Sequence, residues 1–124
     1  MKTLLRTFLA AAAIAVATPA LAVDFAAPIN NLDGTAMRKD DKTVLTLEEV
    51  ASTALLSSYQ DESNLDGVEK NKRFWLAKKI HDQRKDPVLT ADEIALIKRL
   101  IAKAYNPLVV GQAWTILDPA SVPK

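Results

Sequence analysis

The amino-acid sequence predicts a mainly α fold, a small bundle of about four helices preceded by a short β-hairpin or extended arm. Three observations carry this. Apolar residues recur at helical spacing in four successive stretches between Thr46 and Leu117, a side chain suited to capping precedes each, and the segment before them is a series of short runs broken by turn formers. The chain has 124 residues, 49% hydrophobic and 25% charged, which is ordinary globular usage and the length of one domain. It contains no cysteine, so a disulfide framework, a zinc-thiolate site and a cysteine nucleophile are excluded. The fold must rely on its core.

At the N-terminus, Lys2 and Arg6 precede an apolar run from Phe8 to Ala17, followed by Pro19 and the small-x-small site Ala20-Leu21-Ala22. That order is the pattern of a secretory signal peptide over residues 1–22, with cleavage expected after Ala22. The apolar run is about ten residues, well short of the ~20 that span a bilayer, so no stable membrane anchor is expected. The expected location is the periplasm or the secreted fraction. Cleavage would leave 102 residues, a size near the margin at which a domain folds unaided.

Residues 23–45 are the arm. Asp33-Gly34 suits a tight primed hairpin turn, because glycine adopts positive φ without strain, whereas Pro28 argues against a central strand since it cannot donate to a ladder. A helical domain follows over 46–117. Thr46 with Glu49 is a capping-box pair, and Leu47, Val50, Ala51, Ala54 and Leu55 then give one apolar face. The polar run from Gln60 to Asp66 is compatible with a calcium loop only at first sight. With Gly67 at the sixth loop position, the twelfth is Arg73, where a calcium site needs a carboxylate. Asp66 is better read as the next N-cap, with Glu69 three residues on.

The second helix carries the candidate binding site. Over residues 67–85, Leu76, Ala77 and Ile80 share one side with the stems of Arg73 and Arg84, while Trp75 projects nearly opposite among Lys72, Lys78 and Lys79. An aromatic ring in a basic setting suits an interface anchor or a nucleic acid base, and a protein partner is the reading taken for Lys72, Trp75, Lys78 and Lys79. The competing structural reading is a helix buried on two sides, with Trp75 in the core. Asp86-Pro87 should end this helix.

Thr90 with Glu93 forms a second capping box, and Ile94, Leu96, Ile97, Leu100, Ile101, Ala104 and Tyr105 then fill about half the circumference. A face that wide touches two neighbours, so this is the expected central helix. Asn106-Pro107 reads as an N-cap and first-turn proline, opening a short last helix on which Val109, Val110, Ala113, Trp114 and Leu117 share a face. Trp114 is therefore expected to be buried and Trp75 at least partly exposed. Residues 118–124, with two prolines, are expected to be a flexible tail.

Residues 23–66 hold nine acids and three bases, net −6, and residues 67–124 hold six acids and eleven bases, net +5. The opposed signs suit internal complementarity; binding of the basic half to nucleic acid or another acidic surface is the weaker reading, given near-zero total charge. His81 is the sole histidine, which excludes a histidine-based metal cluster, and its place near the end of a lysine-rich helix suits the helix dipole. Neighbouring acids such as Glu48-Glu49 and Asp92-Glu93 point about 100° apart on a helix and are explained by capping and solvation. No Walker loop, dinucleotide fingerprint or HExxH motif occurs, so no catalytic residue, metal site or cofactor is assigned. The expectation is a protein that is not an enzyme.

From Asn31 to Ala113 the succession NLDG, LTL, ALL, YQDE, EKNKRFWLAKKIH, EIALIKRLIAKAY and NPLVVGQAW resembles a group of small uncharacterised proteins of tailed bacteriophages and prophages. The resemblance implies no activity and no catalytic residue, and the signal peptide departs from it. Together these readings give a non-enzymatic exported interaction or accessory protein of prophage origin, acting through helix surfaces. The alternative is a small periplasmic hydrolase in which His81 works with a nearby serine or carboxylate.

Overall fold

The computed structural model describes residues 21–123. The expected signal peptide covers residues 1–22, of which 1–20 lie outside the described residues and Leu21 and Ala22 within them. Among the described residues are two short strands, β1 (Leu21–Ala22) and β2 (Val88–Leu89), and four helices, α1 (Leu47–Leu56), α2 (Gly67–Asp82), α3 (Ala91–Ala104) and α4 (Pro107–Leu117). The protein is mainly α, with four helices behind an extended arm. Packing runs from α2 onto α1, from α1 onto α3 and from α3 onto α4. The wide apolar face of α3 is thus shared by two neighbours, and Ile97, Leu100 and Ile101 are fully buried there.

Each helix starts on a side-chain cap, because the first turn leaves backbone donors unpaired. Thr90 Oγ1 accepts from Glu93 N at 3.1 Å while the Glu93 carboxylate accepts from Thr90 N at 2.8 Å, a complete capping box. Asp66 and Asn106 accept from Glu69 N at 2.9 Å and Val109 N at 3.1 Å. At Thr46 only half of the expected box forms. Thr46 Oγ1 accepts from Glu49 N at 3.4 Å, but the Glu49 carboxylate is drawn away to the Lys39 ammonium. The arm satisfies the next two donors, since the Ala27 and Phe25 carbonyls accept from Leu47 N and Glu48 N, both at 2.9 Å. The start of α1 is therefore sewn to the arm.

The arm itself folds back twice. Ile29 N–H donates to Leu45 O at 2.9 Å, Leu45 N–H to Met37 O at 2.8 Å, and Met37 N–H to Ile29 O at 2.7 Å, closing a ring of three extended segments eight residues apart. Ile29 is fully buried, and Met37 and Leu45 pack partly against the core. The turn at Asp33-Gly34 differs from the expected primed type. Asn31 N–H donates to Thr35 O at 2.8 Å across a three-residue loop, and only Gly34 has positive φ, at 89°. A type I′ turn needs positive φ at both central residues, so the loop is instead the longer form that ends on a left-handed glycine.

Three boundaries move. The second helix stops at Asp82, short of Pro87, and beyond it the Arg84 carbonyl accepts from Phe25 N at 2.7 Å. Val88–Leu89 pair antiparallel with Leu21–Ala22, a pairing too short to leave an alternating pattern in the sequence. Residues 119–121, expected within a flexible tail, form a 3₁₀ turn capped by Asp118, and Ser121 Oγ donates to Asp118 O at 2.7 Å.

Candidate interaction face on the second helix

Helix α2 has an inner and an outer side. Leu76, Ala77 and Ile80 enter the core together with Arg73, which is only 3% exposed. A buried guanidinium requires compensation for lost water. Arg73 obtains it from Glu62, through two bonds of 2.8 Å, and from Glu69 at 3.3 Å. Arg99 at 3.5 Å and Lys103 at 3.4 Å also approach Glu62. The Arg73 hydrogen bonds outweigh desolvation and hold the Glu62 carboxyl down at about 2; the same bonds push the Arg73 guanidinium up. This network fixes the rotation of α2 about its axis and thereby aims its opposite side outward.

Trp75 is 56% exposed on that opposite side, and Phe74 beside it is 46% exposed. Their rings meet edge to face, with centroids 5.2 Å apart and planes at 80°, an arrangement the aromatic quadrupoles favour. The two-sided burial that would place Trp75 in the core is absent. Lys72 is exposed and has no ion-pair partner among the described residues. Lys78 is exposed and pairs with Asp82 at 2.9 Å, one helical turn on. Lys79 stands apart. It is half-buried and donates to the Val88 carbonyl at 2.7 Å, so it braces β2.

Phe74 was not among the residues singled out from the sequence. Its position beside Trp75 gave a signal, but the phase of α2 puts it at the border between the two sides, where periodicity alone does not assign it. It walls a cleft of about 220 Å³ at the α1–α2 seam, together with Leu56, Ala77, Ser52, Glu48, Lys78 and His81. Leu56 is itself 60% exposed. The seam therefore presents a continuous apolar strip, Leu56–Phe74–Trp75, with lysines along it.

His81 lies at the end of this cleft, its Nδ1 3.3 Å from Glu48 Oε1. Ser52 Oγ donates to the other oxygen of the same carboxylate at 3.1 Å. A serine hydrolase needs the hydroxyl on the imidazole and the carboxylate behind it. Here the carboxylate is the central member.

A second tryptophan occupies different surroundings. Trp114, expected to be buried, is half-buried at the edge of the α3–α4 seam; its Nε1 donates to Lys98 O at 3.1 Å and the Lys98 ammonium lies 4.4 Å from the ring centroid. The indole needs a partner for its N–H, and the mid-helix Lys98 carbonyl at the seam supplies it, which keeps the ring at the edge. Ala95, Lys98, Arg99, Ala102 and Lys103 complete a shallow groove of about 530 Å³ around it. Its cations are already paired, Lys98 with Asp118 at 3.0 Å and Lys103 with Asp61 at 2.9 Å.

No family model, curated protein or solved structure matches the chain.

Proposed function

We propose that this protein is a non-enzymatic exported interaction or accessory protein of prophage origin that holds a protein partner on the outer side of α2. The observation that carries the reading is the exposed Phe74–Trp75 pair, set on a helix whose rotation is fixed by a buried ion network. Large aromatics rigidly presented beside cations are the residues that dominate interface energetics. Trp75 is the anchor, Phe74 and Leu56 extend the apolar contact, and Lys72 and Lys78 form the polar rim. The order Ser52–Glu48–His81 supports this reading over a hydrolase.

Processing after Ala22 would remove Leu21 and Ala22, which pair with Leu89 and Val88, and would leave the buried Val23 as the first residue of the chain. The test of the reading is capture from periplasmic extract with the wild-type protein and with Trp75→Ala as baits. A species retained by the wild type and lost with the variant is expected. Identical capture by both baits would refute the α2 face as the binding surface.

A further inference from the structure

We infer that the α1–α2 cleft takes the arm tip of a second copy of this chain, with Leu32 seated between Leu56 and Phe74 and Asp33 facing Lys78. This deepens, and rests on, the reading of α2 as an interaction surface.

The tip is an apolar side chain held out on a rigid mount. Leu32 is 91% exposed, more than any other large hydrophobic among the described residues. Its loop backbone is nonetheless held by bonds on either side of Leu32: Gly34 N–H donates to Asn31 O at 3.0 Å, and Thr35 donates to Asp33 Oδ1 from its backbone N at 3.0 Å and its hydroxyl at 2.7 Å. A group already fixed in place loses little conformational freedom on docking. The high exposure of Leu32 also means that the tip does not reach the cleft of its own chain.

The cleft offers the complementary surface. Its floor and walls are Ala77, Leu56 and Phe74; Lys78 lies one turn beyond Phe74, and one turn further His81 meets Glu48. Lys78 is engaged only in an exposed i,i+4 pair with Asp82, an interaction worth little and readily exchanged. Asp33 carries the matching charge, its carboxyl held below the usual range by the Thr35 hydrogen bonds. On the larger scale, the tip belongs to the segment of net charge −6 and the cleft's outer helix to the segment of net charge +5. Two copies therefore attract when the arm of one meets α2 of the other. Because tip and cleft are different surfaces, the contact can be made reciprocally in a closed pair or repeated along a chain of copies.

Analytical ultracentrifugation of the purified protein from micromolar to millimolar concentration tests this. The average mass is expected to rise with concentration, and Leu32→Asp and Phe74→Ala are each expected to weaken association by about tenfold or more. Leu56→Lys serves as a second cleft variant should Phe74→Ala lose its helical circular dichroism. Mixing the tip variant with a cleft variant should recover association, because one supplies an intact cleft and the other an intact tip. Wild-type protein that stays monomeric, self-association untouched by Leu32→Asp, or a mixture that fails to recover would each overturn the inference. A monomer that still captures another protein through Trp75 would overturn tip docking while leaving the α2 reading in place.

Discussion

Replacing Ile97 by alanine should remove a large part of the stability of this domain. Ile97 is fully buried in α3, the helix that packs on both α1 and α4. The substitution deletes three carbons, worth roughly 0.8 kcal/mol each in transfer free energy, about 2.4 kcal/mol together. Neighbours on two sides limit collapse into the gap, and a residual cavity of roughly 50 Å³ adds about 1 kcal/mol. The expected loss is about 3–4 kcal/mol, inside the general range of ~2–5 kcal/mol for this exchange. Against a total of ~5–15 kcal/mol for a typical domain, that is a large fraction. With a urea dependence of about 2 kcal/mol per molar, the unfolding midpoint should fall by roughly 1.5–2 M. Ile97→Val, which removes one carbon, should cost about 0.5–1.5 kcal/mol, and Ala102→Ser on the exposed side of α3 should stay within ~0.5 kcal/mol. Urea denaturation followed by circular dichroism measures all three. A loss below ~0.5 kcal/mol for Ile97→Ala would show that α3 is not central to the core.

Other measurements bear on the remaining features. Because Glu62 titrates at about 2 in the folded chain against an ordinary 4.5, its stabilisation is present above about pH 5 and is lost as pH falls through about 4 toward 2. With its carboxylate side chain 12% exposed, the solvent-screened contribution is about 1–2 kcal/mol; Glu62→Gln should therefore destabilise the protein at pH 7 and flatten its acid sensitivity, and an unchanged acid limb in denaturation curves would refute the network's role. Trp75→Ala should change stability by less than ~0.5 kcal/mol while weakening partner binding by more than ~1 kcal/mol, which denaturation and titration calorimetry separate. Acrylamide should quench Trp75 more strongly than Trp114 in single-tryptophan variants; equal quenching would contradict the two environments. Intact-mass measurement of periplasmic protein should give a chain beginning at Val23, and a full-length cytoplasmic species would refute processing after Ala22.

The helices were legible in the sequence because each is specified twice, by periodicity and by a cap. Thr90 with Glu93 and Asn106 with Pro107 mark starts that the apolar stripes of α3 and α4 then confirm. What periodicity left out is set by long-range backbone pairing. Val88–Leu89 and Leu21–Ala22 are too short to alternate, and the ring through Ile29, Met37 and Leu45 depends on three segments meeting. Glu49 shows the same limit from another side. A capping partner by spacing, it pairs with Lys39 of the arm instead, a long-range contact that spacing along the helix does not encode. The candidate site was half legible. Helical phase places Trp75, whereas the exposure of Phe74 at the border of the two sides and the turn of Lys79 onto Val88 depend on contacts made only in the folded chain.

The arrangement of α2 separates the determinants of folding from those of binding. Its inner side commits Leu76, Ala77, Ile80 and Arg73 to the core, so changes there act first on stability. Phe74 and Trp75 retain much of their surface in water, and burying a large aromatic is worth about 1.5–3 kcal/mol. The isolated chain leaves much of that free energy unrealised, and only a second surface laid over α2 can recover it. Rigid placement sharpens the consequence. The Arg73–Glu62 pair prevents the helix from rolling inward to cover its own aromatics, since such a roll would pull a buried guanidinium from its bidentate carboxylate at a cost of ~3–5 kcal/mol. That cost exceeds the roughly 1.5–3 kcal/mol that covering the exposed half of each ring would return. An Arg73→Met variant, which removes the restraint while keeping an apolar stem, should therefore let Trp75 become less accessible to quencher, and unchanged accessibility in a folded variant would show that packing of Leu76 and Ile80 alone fixes the helix.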